Sequence, residues 1–372
     1  MIKSEINEIK KLFHKDASVI SKFSTCYVDH EKNIKLLSTK SYSLIPEEDS
    51  FKYEDMFKKT LSGTVGKQLL NIDIELEEEL NGQSHKLLME LRESKLENEE
   101  LNLKFFNKII ENFVYPENYY IVLANVVYDI PFKTKDKMGL DDASEETYNS
   151  VLCSICPINL DKPCLSYNAE TDSIEHRVRD WIVSDPIRGF LFPAFNDRRT
   201  DIHSALYFSK KADDISKDLI EAIFATPAPI PAGEQREIIQ EELVKALDDD
   251  CSYSTISRLH ENLNQMIEEN KDSDTPLVLS KQDMIKLMEQ SGAAKEAVER
   301  YETSKEADIA VLADNIAGSK KVDIKSVGIN IKVDADYLPY ISTKTVEGKK
   351  CLVIELNDSI EINGINIKST TD

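Results

Sequence analysis

Five of the nine arginines, Arg177, Arg179, Arg188, Arg198 and Arg199, fall within 23 residues. The same stretch holds the single tryptophan, Trp181, together with Phe190, Phe192 and Phe195, and His176 and His203 flank it. A guanidinium holds a carboxylate or phosphate through two N–H donors at once and stacks on aromatic rings, which a lysine ammonium does not do. These residue types suit a surface for an anionic ligand or partner, with Arg177, Arg179 and Arg188 as clamps. Arg198 and Arg199 extend it, and Trp181 or Phe195 offers a stacking face. An alternative makes the stretch catalytic on a phosphorylated or nucleotide substrate. His203 is then a general base oriented by Asp197 or Asp201, with Arg198 and Arg199 stabilising developing negative charge. Against both readings stand Asp180, Asp185, Asp197 and Asp201, which can neutralise the arginines in ordinary ion pairs of little energetic consequence.

Other motifs fail on their own chemistry. Gly63-Thr-Val-Gly66-Lys67 would need a glycine where Leu61 stands and a hydroxyl residue where Gln68 stands to cradle a nucleotide phosphate. It reads as a helix end followed by a turn. Cys153-x-x-Cys156, with Cys164 downstream, invites a zinc reading, but residues three apart on a strand point to opposite faces. These cysteines read as buried apolar side chains, and neither a metal nor a cofactor is expected. Two short helices meeting at 291–292 resemble a helix-turn-helix. The second carries Glu296, Glu299, Glu302 and Glu306 against Lys295, Arg300 and Lys305, the wrong sign for a helix between phosphates.

The elements that must position the arginine stretch form an α+β pattern. Ile6, Ile9, Leu12 and Phe13 give an amphipathic first helix, and 23–28 and 34–42 a β-hairpin turning through 29–33. Pro46 opens a helix that Gly63 stops, an acidic spacer follows at 75–79, and a long helix spans 84–113. Its Leu/Phe stripe admits a coiled coil, and a homodimer through this helix or through the terminal β unit is open, although a core helix is the simpler reading. Strands are expected at 119–130, 151–160, 164–167, 181–183, 189–195 and 205–208, with an acidic loop at 136–147 and a helix at 213–224. The run at 226–233, TPAPIPAG, favours an extended spacer. Helices follow at 234–247, 254–269, 281–290 and 293–301, the third opened by Ser280 with Asp283. A small β unit ends the chain, with alternation at 322–333, a turn at Glu347-Gly348, a strand at 351–356 and a hairpin signal at 363–364. The domains are therefore 1–225, mixed α+β; 226–233, linker; 234–316, helical; and 317–372, a small β unit.

The chain has 372 residues, 41% hydrophobic and 31% charged, with a net charge of −22. That composition suits a packed soluble protein and opposes non-specific wrapping of DNA. No apolar run is long enough for a membrane helix, the amino terminus lacks a secretory pattern, and the six scattered cysteines suit a reducing cytoplasm.

The stretches 57–67 (FKKTLSGTVGK), 151–167 (VLCSICPINLDKPCLSY), 179–198 (RDWIVSDPIRGFLFPAFNDR), the 26–29 hairpin (CYVD) and the closing GKKCLVIEL…EINGINI resemble a bacterial family, mostly of Firmicutes, called domain of unknown function 4317. The resemblance covers nearly the whole chain and implies no activity. In the order of its parts alone, the chain is also similar to the bacterial nucleoid-associated protein family. That likeness implies association with the nucleoid or with DNA-handling partners, and the acidity favours a protein partner over DNA. The leading expectation is a non-enzymatic cytoplasmic binding or scaffold protein using the arginine–aromatic surface. The competing class is the enzyme.

Overall fold

Ile121 and Leu123 belong to one hydrophobic core, while Val122, Ala124 and Val126 belong to another. That period of two marks a strand buried on both faces and sets the architecture of the first half of the molecule. The computed structural model describes residues 1–13, 19–133, 139–248, 251–317, 321–355, 360–362 and 365–367. Contacts divide the chain into two units, Met1–Pro231 and Ala232–Asp372.

The first unit begins with α1 (Lys3–Lys11), β1 (Ile20–Val28), β2 (Ile34–Ser41), a 3-10 turn (Tyr42–Leu44), α2 (Glu47–Thr60) and β3 (Leu69–Asp73). Three helices follow, α3 (Leu76–Asn81), α4 (Gln83–Glu93) and α5 (Glu99–Asn112), then the long strands β4 (Asn118–Lys133) and β5 (Gly139–Leu160). Shorter strands come next: β6 (Leu165–Asn168), β7 (Ser173–His176), β8 (Trp181–Val183), β9 (Arg188–Phe192), β10 (Ala194–Asn196), β11 (Arg199–Asp201) and β12 (Ser204–Ser209). The helix α6 (Lys217–Phe224) is the last element of this unit. One sheet runs β2-β1-β4-β5-β9-β12-β3, with β8 alongside the end of β5, and every pairing is antiparallel. Ile6 and Ile9 of α1 and Phe57 of α2 cover one face. Leu87, Leu91, Phe105, Ile109 and Ile220, from α4, α5 and α6, cover the other.

In the second unit α7 (Ala232–Leu247), α8 (Tyr253–Glu269), β13 (Val278–Leu279), α9 (Lys281–Gln290), α10 (Lys295–Thr303), β14 (Val311–Leu312) and α11 (Ala313–Ala317) enclose one core through Leu247, Leu263, Met288 and Tyr301. A reciprocal cap opens α9. Ser280 Oγ accepts the Asp283 N–H at 3.3 Å, and Asp283 Oδ2 accepts the Ser280 N–H at 3.0 Å. Three hairpins then pair β15 (Lys321–Ser326) with β16 (Ile329–Asp334), β17 (Ile341–Val346) with β18 (Lys349–Ile354), and β19 (Ile360–Ile362) with β20 (Ile365–Ile367). A 3-10 stretch, Ala335–Tyr340, joins the first two. Glu347 and Gly348 have φ of 50° and 77°, as a two-residue turn requires. The turn expected at 363–364 lies outside the described residues.

The α+β class, the helical middle and the terminal hairpins agree with the sequence pattern. Four local expectations need correction. The acidic spacer expected at 75–79 lies mostly in the helix α3. The helix expected over 84–113 is two helices, because Lys95 and Leu96 turn left-handed at φ 49° and 62°. Leu96 is fully buried, its carbonyl accepts from Asn102 Nδ2 at 2.9 Å, and Asn98 Oδ1 caps α5 by accepting the Leu101 N–H at 3.1 Å. Both halves bury their stripe in the same core, so that stripe is not a coiled-coil seam. The loop expected at 136–147 is already β5 from Gly139 onward, paired with β4 as far as Lys133, while 134–138 lie outside the described residues. The strand expected over 189–195 is two, β9 and β10. The left-handed turn at residue 95 gives a test of sign. Lys95→Gly should raise the urea midpoint, by roughly 0.5–1 kcal/mol of stability, because glycine takes this φ without strain. In an unbroken helix the same change would cost about 1 kcal/mol.

Candidate functional site

The register that pairs Leu160 with Trp181 continues through Leu165 with His176 to Asn168 with Ser173. Backbone hydrogen bonds bridge the gap, from Asp161 N–H to the Asp180 carbonyl (2.8 Å) and from Arg177 N–H to the Cys164 carbonyl (3.1 Å). The end of β5, β6, β7 and β8 therefore make one hairpin arm continuing the sheet. No residue from 159 to 185 is buried. Arg177 and Arg179 sit at the neck of this arm, where the ladder is irregular. Arg177 Nη1 meets Asp161 Oδ2 at 2.8 Å and its Nη2 lies 3.8 Å from Asp180 Oδ2, while Arg179 Nε donates to the Asp161 carbonyl at 2.5 Å. Trp181 begins β8 and is 55% exposed.

The remaining arginines stand elsewhere. Arg188 begins β9 opposite Ile155, buried, with Asp214 Oδ2 2.8 Å from its Nη2. Arg198 lies in the tight turn between β10 and β11, where Asp197 and Arg198 have φ of 51° and 56°. Its guanidinium grips the Glu8 carboxylate of α1 at 2.9–3.1 Å and also reaches the Pro131 carbonyl at 3.3 Å. Arg199 is exposed on β11 and has no ion pair among the described residues. Sequence neighbours are thus held by three different parts of the unit: the arm's own acids, the Asp214 segment and α1.

The family model for a domain of unknown function, DUF4317, matches residues 1–365. The chain belongs to this family. No curated protein matches it.

The groups proposed for catalysis in this DUF4317 chain are tied differently from the sequence expectation. His203 Nδ1 lies 2.8 Å from Glu79 Oε2, a residue 124 positions away that reads in sequence only as part of an acidic spacer. The ring is 66% exposed. Asp201 touches His203 only at its backbone N–H (3.0 Å), and its other oxygen accepts from Asn196 Nδ2 (2.6 Å) and Ser204 Oγ (2.8 Å). Asp197 offers its backbone N–H to Glu5 Oε1 at 2.7 Å. Burial opposes ionisation of Asp201, but the hydrogen bonds from Asn196, Ser204 and His203 outweigh it and hold the carboxyl below its usual range. Cys153 and Cys156 are buried on β5, and burial pushes both thiols well above the usual thiol range. Among the described residues no three His, Cys, Asp or Glu side chains converge as metal ligands. Gly63 and Gly66 have φ of 144° and 81° in the turn between α2 and β3. Among those residues no helix is long and apolar enough to cross a membrane.

What residue-type reasoning missed is the apolar character of the arm. Leu165 (72% exposed), Tyr167, Ile174, Val178 (81%), Trp181, Ile182 and Val183 all face solvent. Leu165 stands opposite His176 and Tyr167 opposite Ile174, so these four share one face of the β6–β7 hairpin. The alternation Leu-Ser-Tyr-Asn at 165–168 carried a signal, but nothing in it says which face lacks cover. One consequence for stability follows from Asp201. Its folded-state pKa lies below the unfolded value, so its contribution is present above about pH 4 and is lost as pH falls through the lowered pKa. Asp201→Asn should flatten the fall of the urea midpoint on acidification while changing its neutral-pH slope little.

Proposed function

We propose that the protein is a non-enzymatic binding protein, acting in the cytoplasm, that takes hold of another protein through the arm of residues 161–183. The observation that carries this reading is the run of seven large apolar side chains left in water there. By the register they stand on both faces of the arm, Leu165, Tyr167 and Ile174 on one and Trp181 and Val183 on the other, and exposed apolar clusters of this kind mark interaction sites. An isolated two-stranded hairpin is marginal in water, so an arm of this composition gains most when covered.

The backbone supports an extended partner segment. The Asp180 carbonyl and the Ser184 N–H point toward β5, which places the N–H and C=O groups of Trp181 and Val183 on the opposite, outer side. None of these four groups has a partner among the described residues, and β12 ends at Ser209, opposite Arg188, short of β8. An extended apolar segment adding antiparallel to β8 would fill them. Glu170, Asp172 and Glu175 at the tip favour a basic rim on that partner. Arg177 and Arg179 brace the arm in this reading, and Trp181 supplies contact. Any association with the nucleoid would then run through a protein, since a net charge of −22 opposes direct contact with DNA phosphates. The enzyme alternative keeps Glu79 on His203 and Arg199, which has no ion pair among the described residues, but Arg198, the other arginine assigned to stabilise charge, is held by Glu8.

Two variants test the arm. Leu165→Ser/Tyr167→Ser/Ile174→Ser should keep the parental thermal midpoint, because these side chains are uncovered, and should lose at least about tenfold of partner recovery in cross-linked affinity capture. Val183→Pro, which removes one outward N–H, should weaken the same capture. Recovery of an identical set of partners by parent and both variants would refute the reading. Light scattering on the purified chain identifies a second copy as the partner if the mass doubles.

A further inference from the structure

Arg188 marks a second site, independent of the arm. A guanidinium carries five N–H donors. Here Nε donates to Ser216 Oγ at 2.9 Å, Nη1 to the Ile187 carbonyl at 2.8 Å, and Nη2 to Asp214 Oδ2 at 2.8 Å. The Tyr207 hydroxyl, whose proton goes to the Ile215 carbonyl, lies against the guanidinium and can accept one more. At least one donor is then left over on a side chain only 5% exposed, and an unfilled charged donor at such depth is costly.

The guanidinium lines a cavity of about 360 Å³. Lys210, Lys211, Asp214 and Asp218 supply its other charges, and Phe113 and Tyr115, stacked 5.7 Å apart, supply apolar wall. Neither lysine is paired with an acid among the described residues. Three cations therefore face two acids, an inversion of sign in a chain of net charge −22. Asp214 is 64% exposed, so the acid on Arg188 is a surface group, whereas the arginine is buried and reaches the outside only through the cavity.

We infer that this cavity binds a small organic anion, a carboxylate or phosphate head on an apolar body. The head completes the donors of Arg188 and meets the two lysine ammonium groups, and the body lies against Phe113 and Tyr115. Its volume sits at the lower end of the range for ligand pockets, which sets a small metabolite rather than a nucleotide as the occupant. Asp214 is the resident competitor for the same guanidinium.

The test is calorimetric titration of the full chain with phenyl phosphate, benzoate and inorganic phosphate. Phenyl phosphate or benzoate should bind saturably at one site, more tightly than inorganic phosphate. Arg188→Ala removes a buried anchor and risks unfolding, so the diagnostic variants lie around it. Lys210→Ala/Lys211→Ala, both exposed, should keep the parental thermal midpoint and weaken binding about tenfold. Asp214→Asn should tighten binding several-fold by removing the competing carboxylate, an outcome that a merely structural ion pair does not produce. Absence of saturable heat with all three probes at about 10 mM, or unchanged affinity in the lysine variant, overturns the site. Equal affinity for inorganic and phenyl phosphate overturns the organic ligand.

Discussion

The strand β5 is longer than the layers that cover it. Residues 151–158 are buried without exception between two sets of helices, and from residue 159 the same ladder continues with no buried residue at all. An antiparallel ladder tolerates this, because its backbone groups are satisfied strand by strand whether or not a helix lies above. Its side chains do not, because apolar surface gains stability only when something displaces the water on it. Sheet and arm are thus one hydrogen-bonded object in two environments, and the boundary falls where the helices stop.

The arginines follow from the same construction. Between residues 173 and 209 the chain makes six short strands, and each junction leaves backbone carbonyls or turn acids in need of donors. A guanidinium with its fan of five donors suits such irregular places better than an ammonium. Arg179 answers the carbonyl of Asp161, Arg188 that of Ile187, and Arg198 that of Pro131. Only the Ile187 carbonyl belongs to these junctions; Asp161 lies just past β5 and Pro131 within β4, so Arg179 and Arg198 tie the short strands back to the two long ones. Arg188 differs from the others because it is buried and still faces a cavity.

Much of the fold was legible locally. The hairpin around 29–33, the helix opened by Pro46, the strands β4 and β12, and the cap at Ser280 and Asp283 each follow from period, turn chemistry or capping residues acting over a few positions. The failures were places where distant packing overruled a local rule. The Leu/Phe rhythm of 84–113 runs on past Ser94, but burial of Leu96 and the reach of Asn102 break the helix there. The polar first half of β5 has no apolar alternation of its own and becomes strand because β4 pairs with it, through two register shifts, as far as Lys133. Five residues, Leu69–Asp73, were too few to announce β3. The candidate site was legible as residue types and not as an arrangement, since Glu8, Glu79, Asp161 and Asp214 are the partners that matter and none is predictable from spacing.

From residue order alone came the class, the antiparallel and helical segments, the acidity that opposes DNA, and the stock of guanidinium and aromatic groups between 177 and 199. Those depend on interactions within a few residues or on composition, which the chain carries before it folds. Which arginines are already engaged, which apolar face goes uncovered, and which buried donor still looks into a cavity were decided by the tertiary structure. Each of these is a balance between partners separated by tens to hundreds of residues, and only the packed sheet brings them within hydrogen-bonding distance.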